Sequence, residues 1–278
     1  MGLPRFLDFS SQIGILPHAR TFAARVSDGW IPATVGIMAQ VCVIFGAGEY
    51  YAGTPVVPAG AYVVAADGGL DHTRELGIVP DVVVGDFDSL EGRPPRTDVR
   101  TIALPALKDD PDMLSALKVG WSAGCREFHV YGGLGGRIDH TISGIQLMAL
   151  LARHGASGYL YGDGLIVTAI TDGRLSFPAH PVPEDGRMVS VFSHSDVSLG
   201  VNEPGLKYEL KNGTLTNTVV QGVSNEFRDG VDAAISVERG TLIVTFPIEV
   251  ALPQVSRFHE FGGDIGELDT AVSKLLVR

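Results

Sequence analysis

The chain has 278 residues, 45% of them hydrophobic, with a mean hydropathy of +0.21 and a formal net charge of −11. That balance excludes an intrinsically disordered chain, and an acidic surface excludes a binder of nucleic-acid backbone, which needs clustered Lys and Arg. Two cysteines, Cys42 and Cys125, are too few for a disulfide framework or a cysteine-based zinc site.

Residues 1–36 show no sustained hydrophobic period and are expected to be an N-terminal extension, or a stretch upstream of a start at Met38. From Val41 the pattern becomes regular. Apolar runs cover Val41 to Phe45, Tyr62 to Ala66, Asp81 to Val84 and Phe128 to Tyr131, and each stops at Gly or Asp. Short continuous apolar runs separated by helical segments describe parallel strands buried on both faces. Met113, Leu117 and Trp121 repeat at helical spacing, as do Ile138, Ile142, Ile145, Ala149 and Ala152. Asp110-Pro111 predicts a helix start with Asp as N-cap and Pro at the first helical position. Residues 37–177 are therefore expected to form an α/β domain, an open, mostly parallel sheet with flanking helices, Rossmann-like in plan.

The stretch Phe177-Pro178-Ala179-His180-Pro181-Val182-Pro183 reads as a linker. Beyond it, six strand-like runs are expected within residues 184–250: Met188 to Phe192, Val197 to Val201, Leu206 to Leu210, Thr218 to Val220, Ala233 to Val237 and Thr241 to Phe246. Runs so closely spaced predict a small antiparallel β-sandwich or barrel. Residues 251–278 form a tail in which Leu268, Val272, Leu275 and Leu276 are spaced for a short helix. No apolar run approaches the roughly 18 residues that span a bilayer, and no charged-then-apolar leader opens the chain, so the cytoplasm is the expected compartment and no membrane partner is expected.

Ligands of open α/β sheets bind beyond the carboxyl ends of the strands. Asp67 follows the second apolar run, Asp86 and Asp88 follow the third, and Asp112 opens the next helix, where the helix dipole favours its ionised form. Any one of these is explained as a turn or cap residue; acids at several strand ends together would repel unless a cation sat among them. Oxygen ligands without His or Cys suit Mg²⁺, which takes one or two carboxylates, waters and substrate phosphates. A second constellation is Gly132-Gly133-Leu134-Gly135-Gly136-Arg137-Ile138-Asp139-His140, a glycine-rich loop entering a helix whose free N–H groups suit phosphate, with Arg137 as a fixed cation. A P-loop motif is missing, and Gly46-Ala47-Gly48 only begins a dinucleotide fingerprint, with Tyr51 at the third glycine position.

Five stretches taken in order resemble the thiamine pyrophosphokinase family: Ala66-Asp67-Gly68-Gly69, Gly85-Asp86-Phe87-Asp88-Ser89, Lys108-Asp109-Asp110-Pro111-Asp112, Gly132 to His140, and Ser224-Asn225-Glu226-Phe227. The resemblance implies an α/β catalytic domain, a β-rich thiamine-binding domain, and transfer of pyrophosphate from ATP to the hydroxyl of thiamine, releasing AMP. It implies that Asp86, Asp88 and Asp112 hold Mg²⁺ and that Asp67 lies beside the phosphates. Gly68, Gly135, Gly136, Arg137, Asp139 and His140 would contact ATP, with Arg137 also offsetting charge on the phosphoryl oxygens. It further implies a homodimer with shared active sites, in which Ser224, Asn225 and Phe227 reach thiamine across the interface. Asp110 is read mainly as a helix cap, and Asp109 has no assigned role. A Mg²⁺-dependent nucleotide or pyrophosphate-ester hydrolase, or a non-catalytic thiamine binder, would use overlapping residues.

Overall fold

The computed structural model describes residues 41–51, 53, 55–87, 97–183 and 186–273. The expectations for residues 1–36, Asp88, Ser89, Leu275 and Leu276 lie outside the described residues. Ten strands follow one another in a continuous sheet of order β10-β9-β12-β7-β6-β5-β1-β2-β3-β4. Its first part is parallel: β1 (Val41–Phe45), β2 (Tyr62–Ala66), β3 (Val82–Gly85), β4 (Arg100–Ala103), β5 (Glu127–Tyr131) and β6 (Ser157–Tyr161). The apolar runs make β1 and β2 with the expected ends, and Cys42, Val43, Ile44 and Phe45 are fully buried, as strands covered on both faces require.

Helix α1 (Gly69–Glu75) follows β2, α2 (Asp112–Ser122) precedes β5, and α3 (Ile138–Arg153) precedes β6. In α2, Leu117 and Trp121 face the core as their spacing predicts. The stripe expected for α3 holds only in part. Ile138 and Ile142 are 71% and 51% exposed, while Ala149 and Ala152 are buried as expected, together with Leu147, Met148 and Leu151. The apolar side chains of the first turns of α3 thus face solvent at Ile138 and Ile142, and the helix meets the core from Gly144 and Ile145 onward.

Beyond β6 the chain forms β7 (Leu165–Phe177), which sequence periodicity does not reveal because Thr168, Thr171, Asp172 and Gly173 interrupt it. β7 pairs antiparallel with β6 at one end and with β12 (Ala233–Pro247) along its length. The two runs expected at Ala233 and Thr241 are thus one long strand with a register shift between Val237 and Thr241. β8 (Met188–Ser193) and β9 (Val197–Val201) lie near their expected places, followed by β10 (Gly213–Thr216) and β11 (Asn225–Glu226). Leu206 to Leu210 and Thr218 to Val220 are not strands: Leu206 makes a single bridge to Phe227, and 217–219 turn. This antiparallel, β-rich half has its own core around Phe177, Phe227 and Phe246.

The Phe177-to-Pro183 stretch is packed against the fold: Ala179 and Val182 donate backbone hydrogen bonds to Asp232 and Asp229, and Val182 is buried. The tail forms β13 (Gln254–Arg257) on the edge of β7, then runs without a helix through Ser273. Turns in which Asp264 and Asp269 accept from Gly266 and Ala271 take the place of helical hydrogen bonds there.

Candidate active site

Chain order along the parallel sheet reverses between β1 and β5, creating a switch point where a crevice opens at the carboxyl ends. The loops leaving these strands meet there. Gly46 donates to the carbonyl of Tyr131 at 2.8 Å, and Gly48 to that of Gly132 at 2.9 Å. A Cβ on Gly46 would stand 2.7 Å from the Gly132 carbonyl oxygen, and one on Gly132, itself at φ 68, 2.6 Å from that of Gly46. Only glycine permits two backbones this close. A Cβ on Gly46 would also stand 2.7 Å from Met113 Cε, so the first turn of α2 overhangs the same crevice.

Two strands away, the expected acids converge. Asp67, Asp86 and Asp112 each offer a carboxylate oxygen, and the three oxygens lie within 4.8 Å of one another. Asp67 takes φ 47 as the chain leaves β2, its N–H bonded to Val84 at 2.8 Å. Gly85 ends β3 beside it, where a Cβ would stand 3.0 Å from Asp67 Cα. Asp67 is 6% exposed and its Oδ1 is buried with no hydrogen-bond partner among the described residues. Asp88, the third expected metal ligand beside Asp86 and Asp112, lies outside the described residues.

Lys108 enters this cluster, and its sequence position assigns it no role beyond a place in the Lys-Asp-Asp-Pro-Asp stretch. Its Nζ lies 2.7 Å from Asp86 Oδ2 and 3.1 Å from Asp112 Oδ1, the latter an ion-pair contact outside hydrogen-bond geometry. The only sequence signal for it was the four-residue spacing to Asp112. Burial pushes the Asp112 carboxyl above the usual aspartate range; Lys108 pulls it down, and Asp86 and Asp67 push it further up. Burial works to lower the Lys108 ammonium, but its bonds to Asp86 and Asp112 outweigh this and raise it. Three carboxylates gathered with one ammonium, which contacts two of them, leave an excess of negative charge on hard oxygen donors, and Asp67 Oδ1 has no hydrogen-bond partner among the described residues. That donor set fits a divalent cation of the Mg²⁺ type.

Asp110 is not the cap of α2. Pro111 occupies that position without a side-chain cap bond, and Asp110 forms an ion pair with the buried Lys118. Its carboxylate is better satisfied by that ammonium than by the first-turn N–H groups. Asp109 accepts a hydrogen bond from Ser273 at 2.6 Å.

The glycine loop reaches α3 with Gly135 and Gly136 at φ 81 and 60. Arg137 and Asp139 pair with each other in solvent, and His140 is exposed, so none of the three touches the carboxylate cluster here. Tyr51 and Glu49 lie against Gly135. Gly68 is the N-cap residue of α1. Next to Gly132, a cavity of about 350 Å³ is lined by Tyr50, Tyr51, Tyr131, Tyr161 and Leu252 among others.

In the β-rich half, Ser224 is exposed at φ 60, its N–H bonded to Ser190. Asn225 is buried: its amide donates to Glu203 and to the Tyr208 carbonyl, and its Oδ1 accepts from Tyr208 and Glu226. Phe227, expected to stack on a ligand, is 1% exposed and packs edge-on against Phe177 and His180. Its ring is a core residue and offers no face to a ligand, because alternation along the strand turns it inward with Asn225.

A switch-point crevice flanked by clustered carboxylates and a glycine-rich loop defines an α/β protein equipped for metal-assisted phosphate chemistry. The family model for the thiamin pyrophosphokinase catalytic domain matches residues 56–160, and that for the thiamin pyrophosphokinase vitamin B1 binding domain matches residues 179–242. The chain belongs to the thiamin pyrophosphokinase family. A search of curated proteins returned no match. Among solved structures, thiamine pyrophosphokinase from Bacillus subtilis is 20% identical with a TM-score of 0.64, covering 76% of this chain and 100% of its own. Thiamin pyrophosphokinase from Geobacillus thermodenitrificans is 21% identical with a TM-score of 0.62, covering 76% and 99%. That from Candida albicans is 13% identical with a TM-score of 0.59, covering 77% and 91%. These likenesses establish a shared fold.

Proposed function

We propose that the protein is a thiamine diphosphokinase, transferring the β,γ-pyrophosphoryl group of ATP to the hydroxyl of thiamine with Mg²⁺, and that it acts as a cytoplasmic homodimer. The observation that carries this reading is the convergence of Asp67, Asp86 and Asp112 with Lys108 at the sheet's carboxyl edge, in a chain matched by both domains of the family. In the reaction the thiamine hydroxyl oxygen bonds to the β-phosphorus, the bond from that phosphorus to the α–β bridging oxygen breaks, and AMP departs with the electron pair. The hydroxyl proton is released.

Asp86 and Asp112, with Asp88 from its place in the motif, would hold the cation, and Asp67 supplies a further oxygen directed into the same space. When bound, Mg²⁺ supplies neutralisation and orientation of the phosphate oxygens. Lys108 keeps one positive charge among the carboxylates, and the paired Gly46 and Gly132 loops let a phosphate chain approach the backbone closely. Arg137, free to swing from its exposed pairing with Asp139, would meet charge developing on the phosphoryl oxygens. On the β-rich side, exposed Ser224 is the residue of its motif available to thiamine, while Asn225 and Phe227 hold the segment in shape. Met188, Val220 and Val223 are exposed around it, 60%, 82% and 48%, which supports a site completed by a second subunit. Among the described residues no helix is long and apolar enough to cross a membrane.

The test is incubation of the protein with thiamine, ATP and Mg²⁺. Thiamine diphosphate and AMP in equal amounts are expected. ADP with thiamine monophosphate, or phosphate release independent of thiamine, would refute the assignment.

A further inference from the structure

We propose that the segment following β13 is a strap that positions the metal-site loop, with Ser273 as its positioning residue. The strap leaves the sheet edge at Arg257, whose Nη2 donates to Ser157 at 3.2 Å. Phe261 packs against Gly155, where a Cβ would stand 3.0 Å from the ring's own Cβ. Ile265 is 7% exposed in the core of the α/β half, and Leu268 packs on the same core. Gly266 passes over Lys118, the partner of Asp110: a Cβ there would stand 3.5 Å from both Cε and Nζ. Ser273 then donates its N–H to the Leu107 carbonyl at 2.8 Å and its hydroxyl to Asp109 Oδ1 at 2.6 Å.

What it holds is the connection from β4 to α2, which carries Lys108 into the carboxylate cluster and delivers Asp112. Leu104 is tied to Gly85. Among the described residues, the bond from Ser273 to Leu107 is the only backbone–backbone hydrogen bond made by residues 105 to 110. Apart from the contacts of Lys108 with Asp86 and Asp112, the connection's side-chain anchors are Asp110 to Lys118 and Asp109 to Ser273, and the strap touches both of these. Metal sites lose affinity when the supports of their ligands loosen. The strap lies wholly beyond residue 242, where the vitamin B1 binding match ends. It is therefore an element outside both family matches that closes on the catalytic loop. Asp109 thereby gains a role: it is the loop's handle for the strap.

This inference rests on the metal-site reading, so its test separates the two. Ser273→Pro removes both the N–H and the hydroxyl, whereas Ser273→Thr keeps both. Mn²⁺ binding to the full chain is measured by electron paramagnetic resonance, alongside thermal unfolding in EDTA. Ser273→Pro is expected to weaken Mn²⁺ binding by about tenfold, the low end for lost ligand supports, with a Tm close to wild type, and Ser273→Thr to bind like wild type. Equal Mn²⁺ affinity in Ser273→Pro and wild type would overturn the strap's role, as would equal weakening in Ser273→Thr or weakening that only follows a large fall in Tm. Failure of the wild-type chain to bind Mn²⁺ would overturn the metal site itself and the strap's role with it.

Discussion

Replacing Lys108 with Met tests the electrostatic logic of the carboxylate cluster. Lys108, Asp86 and Asp112 have side chains 8%, 11% and 29% exposed, so solvent screens them weakly. At the observed 2.7 and 3.1 Å, an effective dielectric near 20 gives about 5–6 kcal/mol of gross attraction per contact. Dehydrating the ammonium offsets much of this, and removing one partner of a buried ion pair costs a net of about 3–5 kcal/mol. In a chain of this size about 1 kcal/mol moves Tm by roughly 2–4 °C. Lys108→Met should therefore lower Tm by about 10 °C in EDTA. Saturating Mg²⁺ should remove most of that deficit, since the cation replaces the lost charge and no longer meets a competing ammonium. Scanning calorimetry or a dye-monitored melt, with EDTA and with Mg²⁺, reads both numbers. An equal deficit in the two conditions would refute the claim that lysine and cation share one set of carboxylates.

Asp67→Asn and Asp112→Asn should each lower kcat by about 10²–10³-fold, and near-normal turnover in either removes that residue from the site. Asp67→Asn should also raise Tm in EDTA, because it relieves like-charge repulsion without breaking an ion pair such as Lys108 makes with Asp112. Phe227→Ala should destabilise the β-rich half by about 3–5 kcal/mol, yet well below its transition the KM for thiamine should stay within about twofold of wild type; a selective rise in KM would restore a ligand-stacking role. Glu203 is 2% exposed, and burial holds its carboxyl above the usual 4.5, with the Asn225 amide pulling the other way. An acid whose folded pKa is raised favours folding while protonated, so its contribution is lost as pH climbs from 4.5 through the folded value. Glu203→Gln should thus melt above wild type at pH 7 and converge with it below pH 4.5. A Tm below wild type at every pH would show that the carboxylate is needed charged.

Much of the metal-site half is legible in the sequence because its information is local. Asp67 and Asp86 each follow an apolar run and Asp112 opens the helix after the next strand, and parallel topology carries such positions to one edge. Asp110 and Phe227 depart from their expected places, each for its own reason. Asp110 has cap chemistry nearby, but the ammonium of Lys118, eight residues on, is the stronger partner. Phe227 shares a strand face with Asn225, and the period of two already sets it opposite to Ser224. That alternation is readable in the sequence, and it separates the motif into Ser224 and Glu226 on the outer face and Asn225 and Phe227 on the inner one. β7 and β12 were less accessible: their interrupting Thr and Gly positions are stabilised by pairing with each other across about 70 residues, as Thr171 with Thr241. Lys108 was visible as a letter only, since nothing local says that its ammonium turns inward.

The spacing of the two halves of the crevice constrains what can bind. Asp67 and Asp86 stand at the ends of β2 and β3, while Gly46 and Gly132 stand at the ends of β1 and β5, in the spatial order β5-β1-β2-β3. Neighbouring strands lie about 4.8 Å apart, so the glycine pair and the carboxylates are separated by roughly 5–15 Å along the sheet edge. A single phosphate cannot reach both, whereas a polyphosphate laid across the strand ends can, with one end against bare backbone and the other against the cation site. The Lys108 ammonium fixes which end is which: it sits with the carboxylates, so negative charge from the ligand is tolerated there only through the cation they hold. An elongated polyanion bound with its metal is therefore the ligand class for which both features are needed at once. A mononucleotide monophosphate should bind more weakly than ATP by the whole contribution of one end. Competition of AMP and ATP for the Mn²⁺-loaded protein measures that difference directly, and equal affinity would mean that only one of the two ends is used.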